Sequence, residues 1–285
     1  MQVAQILESA SGLRVLDYRD DAGPADTPFT EAFDCFSLSY VARGSFGCTT
    51  RGRHFELLPG SFLVGRAGDE YRCSHEHHDG GDECLSFQWS AAALDASEVD
   101  RHLWRSGALP VLPPLALLGA FGRAHASAQA DCRLEEIALL LAHGFSRLVS
   151  GSAVATPSRV AVRDRRRAVS AALFIDEHAS EPLRLERLAR LSSLSPYHFL
   201  RVFLRITGVT PHQYLVRTRL RRAAERLADP DRRIGAIAFE VGFGDLSNFV
   251  RTFHRAAGMS PGRFRQLSHP ERKILQDAWQ VPKLR

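Results

Sequence analysis

Residues 33–90 alternate short apolar stretches with turn signals, as FDCFSLSYV, RHFELLPGSFLVG, AGDEYRC and ECLSFQW. Strands of that length and spacing predict an antiparallel β barrel or sandwich. Pro59-Gly60, between ELL and SFLVG, predicts a turn, because proline presets φ and glycine accepts positive φ. Over residues 92–150 the period changes. Leu134, Ile137, Leu141 and Leu148, with Ala138 and Phe145 beside them, make one apolar helical face, while Glu135, Glu136, His143 and Arg147 lie elsewhere. That face suits either of two partners, the barrel of its own chain or the same helix of a second subunit through the 134, 141, 148 spacing.

Beyond GSAVATPS (151–158), a linker by its small, polar and proline content, the pattern is helical and one motif occurs twice. Residues 195–211 read SPYHFLRVFLRITGVTP and residues 245–261 read DLSNFVRTFHRAAGMSP. Phe199, Arg201, Phe203, Arg205, Gly208 and Pro211 recur as Phe249, Arg251, Phe253, Arg255, Gly258 and Pro261, whereas Tyr197 and His198 correspond to Ser247 and Asn248. Scaffold positions repeat and outward positions differ. Ser195, Thr210, Asp245 and Ser260 predict helix N-caps, three of them ahead of a proline at the first helical position. Phe199, Val202, Phe203 and Ile206 recur at helical spacing and predict a core face, leaving Tyr197, His198, Arg201 and Arg205 opposite. Upstream, LRLERLARLSSL and RIGAIAFEVGFG each predict a short helix and a tight turn. Each unit thus reads helix, turn, helix, with Ala189 and Ala238 permitting close approach and Gly242 and Gly244 easing the second corner.

Charge separates the two parts. Residues 1–158 hold 12 basic and 20 acidic residues, a net of −8, and residues 159–285 hold 25 and 12, a net of +13. The basic part predicts a polyanionic partner. Length and composition predict an acidic β-rich domain with a helical C-terminal part over 1–150, a basic helical domain over 159–270 and a tail over 271–285. No apolar run approaches the roughly 18 residues of a spanning helix. The start, MQVAQILESASGLRV, lacks a basic region followed by an apolar stretch, so a cytoplasmic protein without a membrane role is expected. Five scattered cysteines (Cys35, Cys48, Cys73, Cys84, Cys132) fit a reducing compartment better than a disulfide framework.

A major groove about 12 Å wide admits one α-helix whose outward N-terminal residues reach base edges while flanking arginines hold phosphates. Both second helices have that composition. The segment PHQYLVRTRLRRAAERLAD between them predicts a helix of roughly 27 Å, near the roughly 34 Å separation of successive major grooves. One chain could therefore hold two groove segments of one duplex, and the unlike outward residues, including His198 and Asn248, predict an asymmetric site. Arg205, Arg255 and His254 are phosphate candidates, with Arg217, Arg221 and Arg222 on the connecting helix.

Over 185–265 the ordered series LARLSSLSPYHFLRVFLRITGVTPHQYLVRTRLRRA and IAFEVGFGDLSNFVRTFHRAAGMSPGRFR resembles the DNA-binding domain of AraC-type (AraC/XylS) bacterial transcription regulators. The resemblance implies an all-α double helix-turn-helix activator or repressor of promoter DNA at the bacterial nucleoid, with RNA polymerase as a further partner. It also implies an N-terminal cupin-like antiparallel barrel with C-terminal helices, sensing a small effector or mediating homodimerisation. By position, the family's base-reading places fall on Tyr197, Leu200 and Arg201, and on Leu246, Ser247, Val250 and Arg251. Leu200 departs from the polar residue frequent there, although an aliphatic side chain can still contact a thymine methyl.

EYRCSHEHHDGGDEC (70–84) concentrates metal-ligand types. If residues 73–77 are extended, Cys73, His75 and His77 share a face, and Cys84 on a returning strand supplies a fourth ligand for Zn²⁺ or another transition metal. Histidines among acids also commonly fill polar loops. A Cys73–Cys84 redox pair is a related reading. An enzyme joined to a DNA-binding domain, metal-dependent or using a reactive cysteine, is the rival class. It finds little support, since the chain has no GxSxG, no phosphate-cradling glycine loop and no HExxH.

Overall fold

A computed structural model describes residues 1–76, 80–97, 99–127, 131–150 and 161–267. The 151–158 linker, the 271–285 tail and His77 lie outside the described residues. The N-terminal part begins with β1 (Gln2–Glu8), β2 (Leu13–Asp20), β3 (Phe29–Ala32), β4 (Phe36–Gly44) and β5 (Phe46–Thr50). It continues through β6 (Arg53–Leu57), β7 (Phe62–Gly65), β8 (Glu70–Ser74) and β9 (Asp82–Trp89). A short helix α1 (Ala91–Ala96), a 3₁₀ turn (Arg101–Arg105), β10 (Ala108–Leu109), α2 (Pro113–Ser127) and α3 (Asp131–Ser150) follow.

The strands form two antiparallel sheets, ordered β1-β2-β9-β4-β7-β10 and β3-β8-β5-β6. Their inner faces share a cluster in which Val41, Leu63 and Cys84 of the larger sheet meet Phe46, Cys48, Leu57 and Cys73 of the smaller. Leu58 to Ser61 makes the expected turn, with Ser61 N–H on Leu58 O at 2.9 Å and Gly60 at φ +93°. The outer face of the six-stranded sheet is covered by α2 and α3. Phe36, Tyr40, Phe62 and Phe87 are all core residues here, packed with Phe121 and Trp104. Gly119 of α2 lies so close to the sheet that a Cβ on it would stand 2.4 Å from Tyr40 Cδ2.

The Leu134, Ile137, Leu141 and Phe145 face of α3 is fully used within the chain, where Phe145 meets Trp104 edge to face at 4.6 Å. Of the two partners that this stripe suits, the structure realises the chain's own core. Strands β1 and β2 carry the sheet's outer edge, and the sequence pattern did not announce them. The helix-facing positions of β2 run Leu13, Val15, Asp17, so the apolar alternation ends in an acid. That acid is buried and tied to Arg123 of α2, which also reaches Glu83 at 2.8 Å. The pair satisfies a charge that the period-2 signal reads as surface.

The C-terminal part consists of α4 (Val162–Glu177), α5 (Leu185–Leu191), α6 (Pro196–Thr207), α7 (Pro211–Leu227), α8 (Ile234–Glu240), α9 (Leu246–Ala257) and α10 (Pro261–Gln266). No helix among the described residues is long and apolar enough to cross a membrane. The N-terminal and C-terminal parts share their cores. Leu220, Ala223, Ala224 and Leu227 of α7, with Phe249, Phe253 and Phe264 beyond, continue the cluster that contains Tyr40 and Phe121. Phe121 stacks edge to face on Phe264 at 5.1 Å. Around α6, Phe199, Phe203 and Tyr214 are joined by Leu58, Val111 and Ala116 from the N-terminal part.

Candidate DNA-binding surface

Each reading helix is started and stopped by its own side chains. Ser195 and Asp245 accept from the backbone N–H of His198 and Asn248, and Gly208 and Gly258 end the helices at φ +74° and +76°. Thr210 and Gln213 form a reciprocal capping box at the start of α7, and Ser260 caps α10. Inside α6, Phe199, Val202 and Phe203 are buried, and inside α9 Phe249 and Phe253 are. The other face is left to solvent.

The outward residues match position by position. Tyr197 and Ser247, Arg201 and Arg251, and Arg205 and Arg255 are exposed, while His198 and Asn248, and Leu200 and Val250, are half-buried. Tyr197, 77% exposed, protrudes furthest of the aromatic side chains in these helices. Leu246, at the start of α9, is also exposed. The two units are not fully equivalent in detail. In the second, Asn248 Oδ1 accepts from Arg251 Nη2 and from Thr252 Oγ1, both at 3.3 Å, so Arg251 is held toward the N-terminal turn. Exposed Leu204 stands where the second unit has exposed His254, a contrast the sequence reading passed over.

The repeat itself has two periods. Leu194 N–H bonds Ala189 O and Phe243 N–H bonds Ala238 O, both at 3.0 Å, which places the first helices and their turns 49 residues apart. The reading helices lie 50 apart, so Gly244 is one extra residue in the second corner. At the 49-residue offset, Ser193 (φ +52°) corresponds to Gly242 (φ +99°), both in the left-handed region. The same offset aligns Arg184 with Arg233, exposed residues at the N-caps of α5 and α8 with no side-chain cap bond. Only the 49-residue offset would have revealed that pair in the sequence.

Three of the expected phosphate ligands are engaged elsewhere. Arg221 is 3% exposed, donates to the Asp176 carboxylate and points at Tyr40 Oη (3.5 Å) and Ala42 O (3.4 Å). Arg221 is therefore not a phosphate contact, since a guanidinium sealed in a core cannot reach a duplex. Arg217 donates to Val111 O, and Arg222 to the carbonyls of Asp176 and Glu177. Desolvation lowers the pKa of Arg217 from its ordinary value. The face of α7 that bears these arginines points into the protein.

Among the described residues, Cys73, His75 and Cys84 do not bring their ligand atoms together as one cluster, and His77 lies outside those residues. Strands β8 and β9 belong to opposite sheets, so Cys84 is not paired with Cys73 across a hairpin, although both side chains enter the cluster between the sheets and, with His75, line its cavity. Cys73 is registered against Cys48, and Cys84 against Tyr18 and Val41. His75 instead joins Asp82 Oδ2 at 2.8 Å and Asp20 Oδ2 at 4.0 Å, the three groups forming the one cluster of this kind among the described residues. Burial lowers the His75 pKa, but the hydrogen bond and charge of Asp82, with Asp20, outweigh it and the net shift is upward. Burial pushes Cys35 up to about 12, a hydrogen bond with Cys48 and burial raise Cys73, and burial raises Cys84.

A family model described as a helix-turn-helix domain matches residues 188–267. The chain is similar to the bifunctional transcriptional activator/DNA repair enzyme AdaA of Bacillus subtilis, 38% identical over 98 residues, 34% of this chain and 46% of that protein. It thus spans less than half the length of that relative. The match to the HTH-type transcriptional regulator YobQ of the same organism is 23% identical over 235 residues, 82% of this chain and 87% of that one. A solved AraC-type regulator from Chromobacterium violaceum superposes with a TM-score of 0.35 and 24% identity, over 37% of this chain and 95% of its own. Residues 188–267 are a helix-turn-helix domain of the AraC type, and the chain is a relative of the AraC/XylS regulators.

Proposed function

We propose that this chain is a sequence-specific transcription regulator that lays α6 and α9 into successive major grooves of one promoter duplex. The observation that carries the reading is the position-by-position match in exposure between two capped helices whose outward residues differ. Tyr197, His198, Leu200 and Arg201 read one half of the site, and Leu246, Ser247, Asn248, Val250 and Arg251 the other. Arg205, His254 and Arg255 hold phosphates, joined by Arg184 and Arg233, whose helices cross the backbone in a helix-turn-helix docking. The 17 residues of α7 supply about 25 Å of rigid spacing.

The two facing sheets support reading the N-terminal part as a cupin-like barrel that senses a small effector in the cytoplasm. Its signal would pass through α2, which packs on α7 and, through Phe121 and Phe264, beside α9. Hydroxyl-radical footprinting of the full chain on selected DNA tests the two-groove reading. It should protect two patches on one face of the duplex, about 10 base pairs apart. One short patch would contradict it.

A further inference from the structure

Between the two sheets lies a cavity of about 290 Å³, lined by Ser37, Ser39, Ser86 and Gln88 on one side and by Phe46 and Tyr71 on the other. That is near the low end for ligand pockets and suits an occupant of roughly ten non-hydrogen atoms. Gln88 is 8% exposed. Its Nε2 donates to Tyr18 Oη at 3.1 Å and Ser86 Oγ at 3.4 Å, but its buried Oε1 has no partner. A buried acceptor without a donor is costly, so this atom requires a donor from an occupant.

The charge of the lining selects the occupant further. Asp20, Asp82, Glu31 and Asp34 line the cavity, and no lysine or arginine does so among the described residues. His75 there already faces Asp82 at 2.8 Å. An anion would meet carboxylates with no guanidinium or free ammonium to hold it. An ammonium group would instead supply an N–H donor to Gln88 Oε1 in a cavity whose charged lining is mostly acidic, with its apolar body against the Phe46 and Tyr71 rings. We propose that this cavity binds a small organic ammonium ion carrying a compact apolar group. The proposal rests on the reading of the N-terminal part as a sensor.

The test is calorimetric titration of the full chain with three matched probes: cyclohexylmethylamine, cyclohexylmethanol and cyclohexanecarboxylate. The amine should bind saturably at one per chain, the alcohol at least tenfold more weakly, and the carboxylate not at all at the same concentrations. Gln88→Leu should weaken amine binding at least tenfold while its circular dichroism stays that of the parent, and Gln88→Glu should tighten it. Carboxylate binding as tight as the amine's, amine binding unchanged in Gln88→Leu, or no binding by any probe would overturn the proposal. A parallel DNA titration separates the two ideas. Amine binding that leaves DNA affinity unchanged removes the sensor reading but keeps the ligand class. A carboxylate that shifts DNA affinity where the amine does not keeps the sensor and removes the class.

Discussion

Replacing Arg221 with methionine should destabilise the protein by about 3–5 kcal/mol, the cost of breaking a buried ion pair from one side. The guanidinium is 3% exposed, sits between β4 and the α4–α7 contact, and serves Asp176, Tyr40 Oη and Ala42 O. Methionine preserves most of the apolar stem, so little cavity is created and the loss is electrostatic. The Asp176 carboxylate is stranded, and nearby Glu225 loses its main compensating charge. Glu225 already has a pKa raised by burial, with Arg221 as the largest opposing influence. Removing Arg221 raises it further, so the folded variant takes up protons that the unfolded chain does not. A carboxylate of that kind makes stability fall as pH rises through its folded value. The loss should therefore be largest at pH 7 and shrink toward pH 5. Urea unfolding followed by circular dichroism at both values measures it, and Arg221→Met with Asp176→Asn should recover most of the stability, because no charge is left unpaired. A single-variant loss under about 1 kcal/mol, or one equal at pH 5 and 7, would refute the reasoning.

Other expectations follow from single contacts. Arg201→Ala and Arg251→Ala should each relax preference at particular bases by about 1–3 kcal/mol in competition binding, whereas Arg205→Ala and Arg255→Ala should weaken all sequences alike and lower the salt slope by about one. Gly119→Ala should cost about 1–3 kcal/mol in thermal or urea unfolding, since its new methyl falls 2.4 Å from Tyr40 Cδ2. At the corresponding corners, Ser193→Gly should stabilise by up to about 1 kcal/mol, and Gly242→Ser should destabilise by about 1–3 kcal/mol. There a Cβ would meet Ser180 O at 2.8 Å as well as an unfavourable φ. The His75–Asp82 pair raises the histidine's pKa, so its stabilisation is complete below the unfolded value near 6.5 and fades as pH rises through the folded one. His75→Gln should flatten that part of the stability profile.

The helical half of the chain was legible because its signals are local. Caps such as Ser195 and Asp245 sit beside the residues they serve, and Phe199 and Phe203 recur within one turn of helix. Strand pairing is not local. Nothing in EYRCSHEHHDGGDEC tells that β8 and β9 join opposite sheets, so Cys73 and Cys84 looked like neighbours across a hairpin. Long-range partners also decided the fate of charges. Arg221 and Asp17 read as surface residues until Asp176 and Arg123, each far away in sequence, enclose them. Ala189 and Ala238 already stand 49 residues apart in the sequence, but that offset was not followed upstream to the pair Arg184 and Arg233.

The central claim is that one chain carries two unlike readers for adjacent grooves, and motif selection from a random DNA library addresses it most directly. The parent should recover two different half-motifs about one helical turn apart. The triple variant Tyr197→Ser, His198→Asn, Leu200→Val gives α6 the residues of α9 at those three outward positions, leaving Pro196 and Leu204 where α9 has Leu246 and His254, and should shift the selected first half-motif toward the second. A palindrome, a single half-motif, or a motif unchanged by the triple substitution would contradict the account.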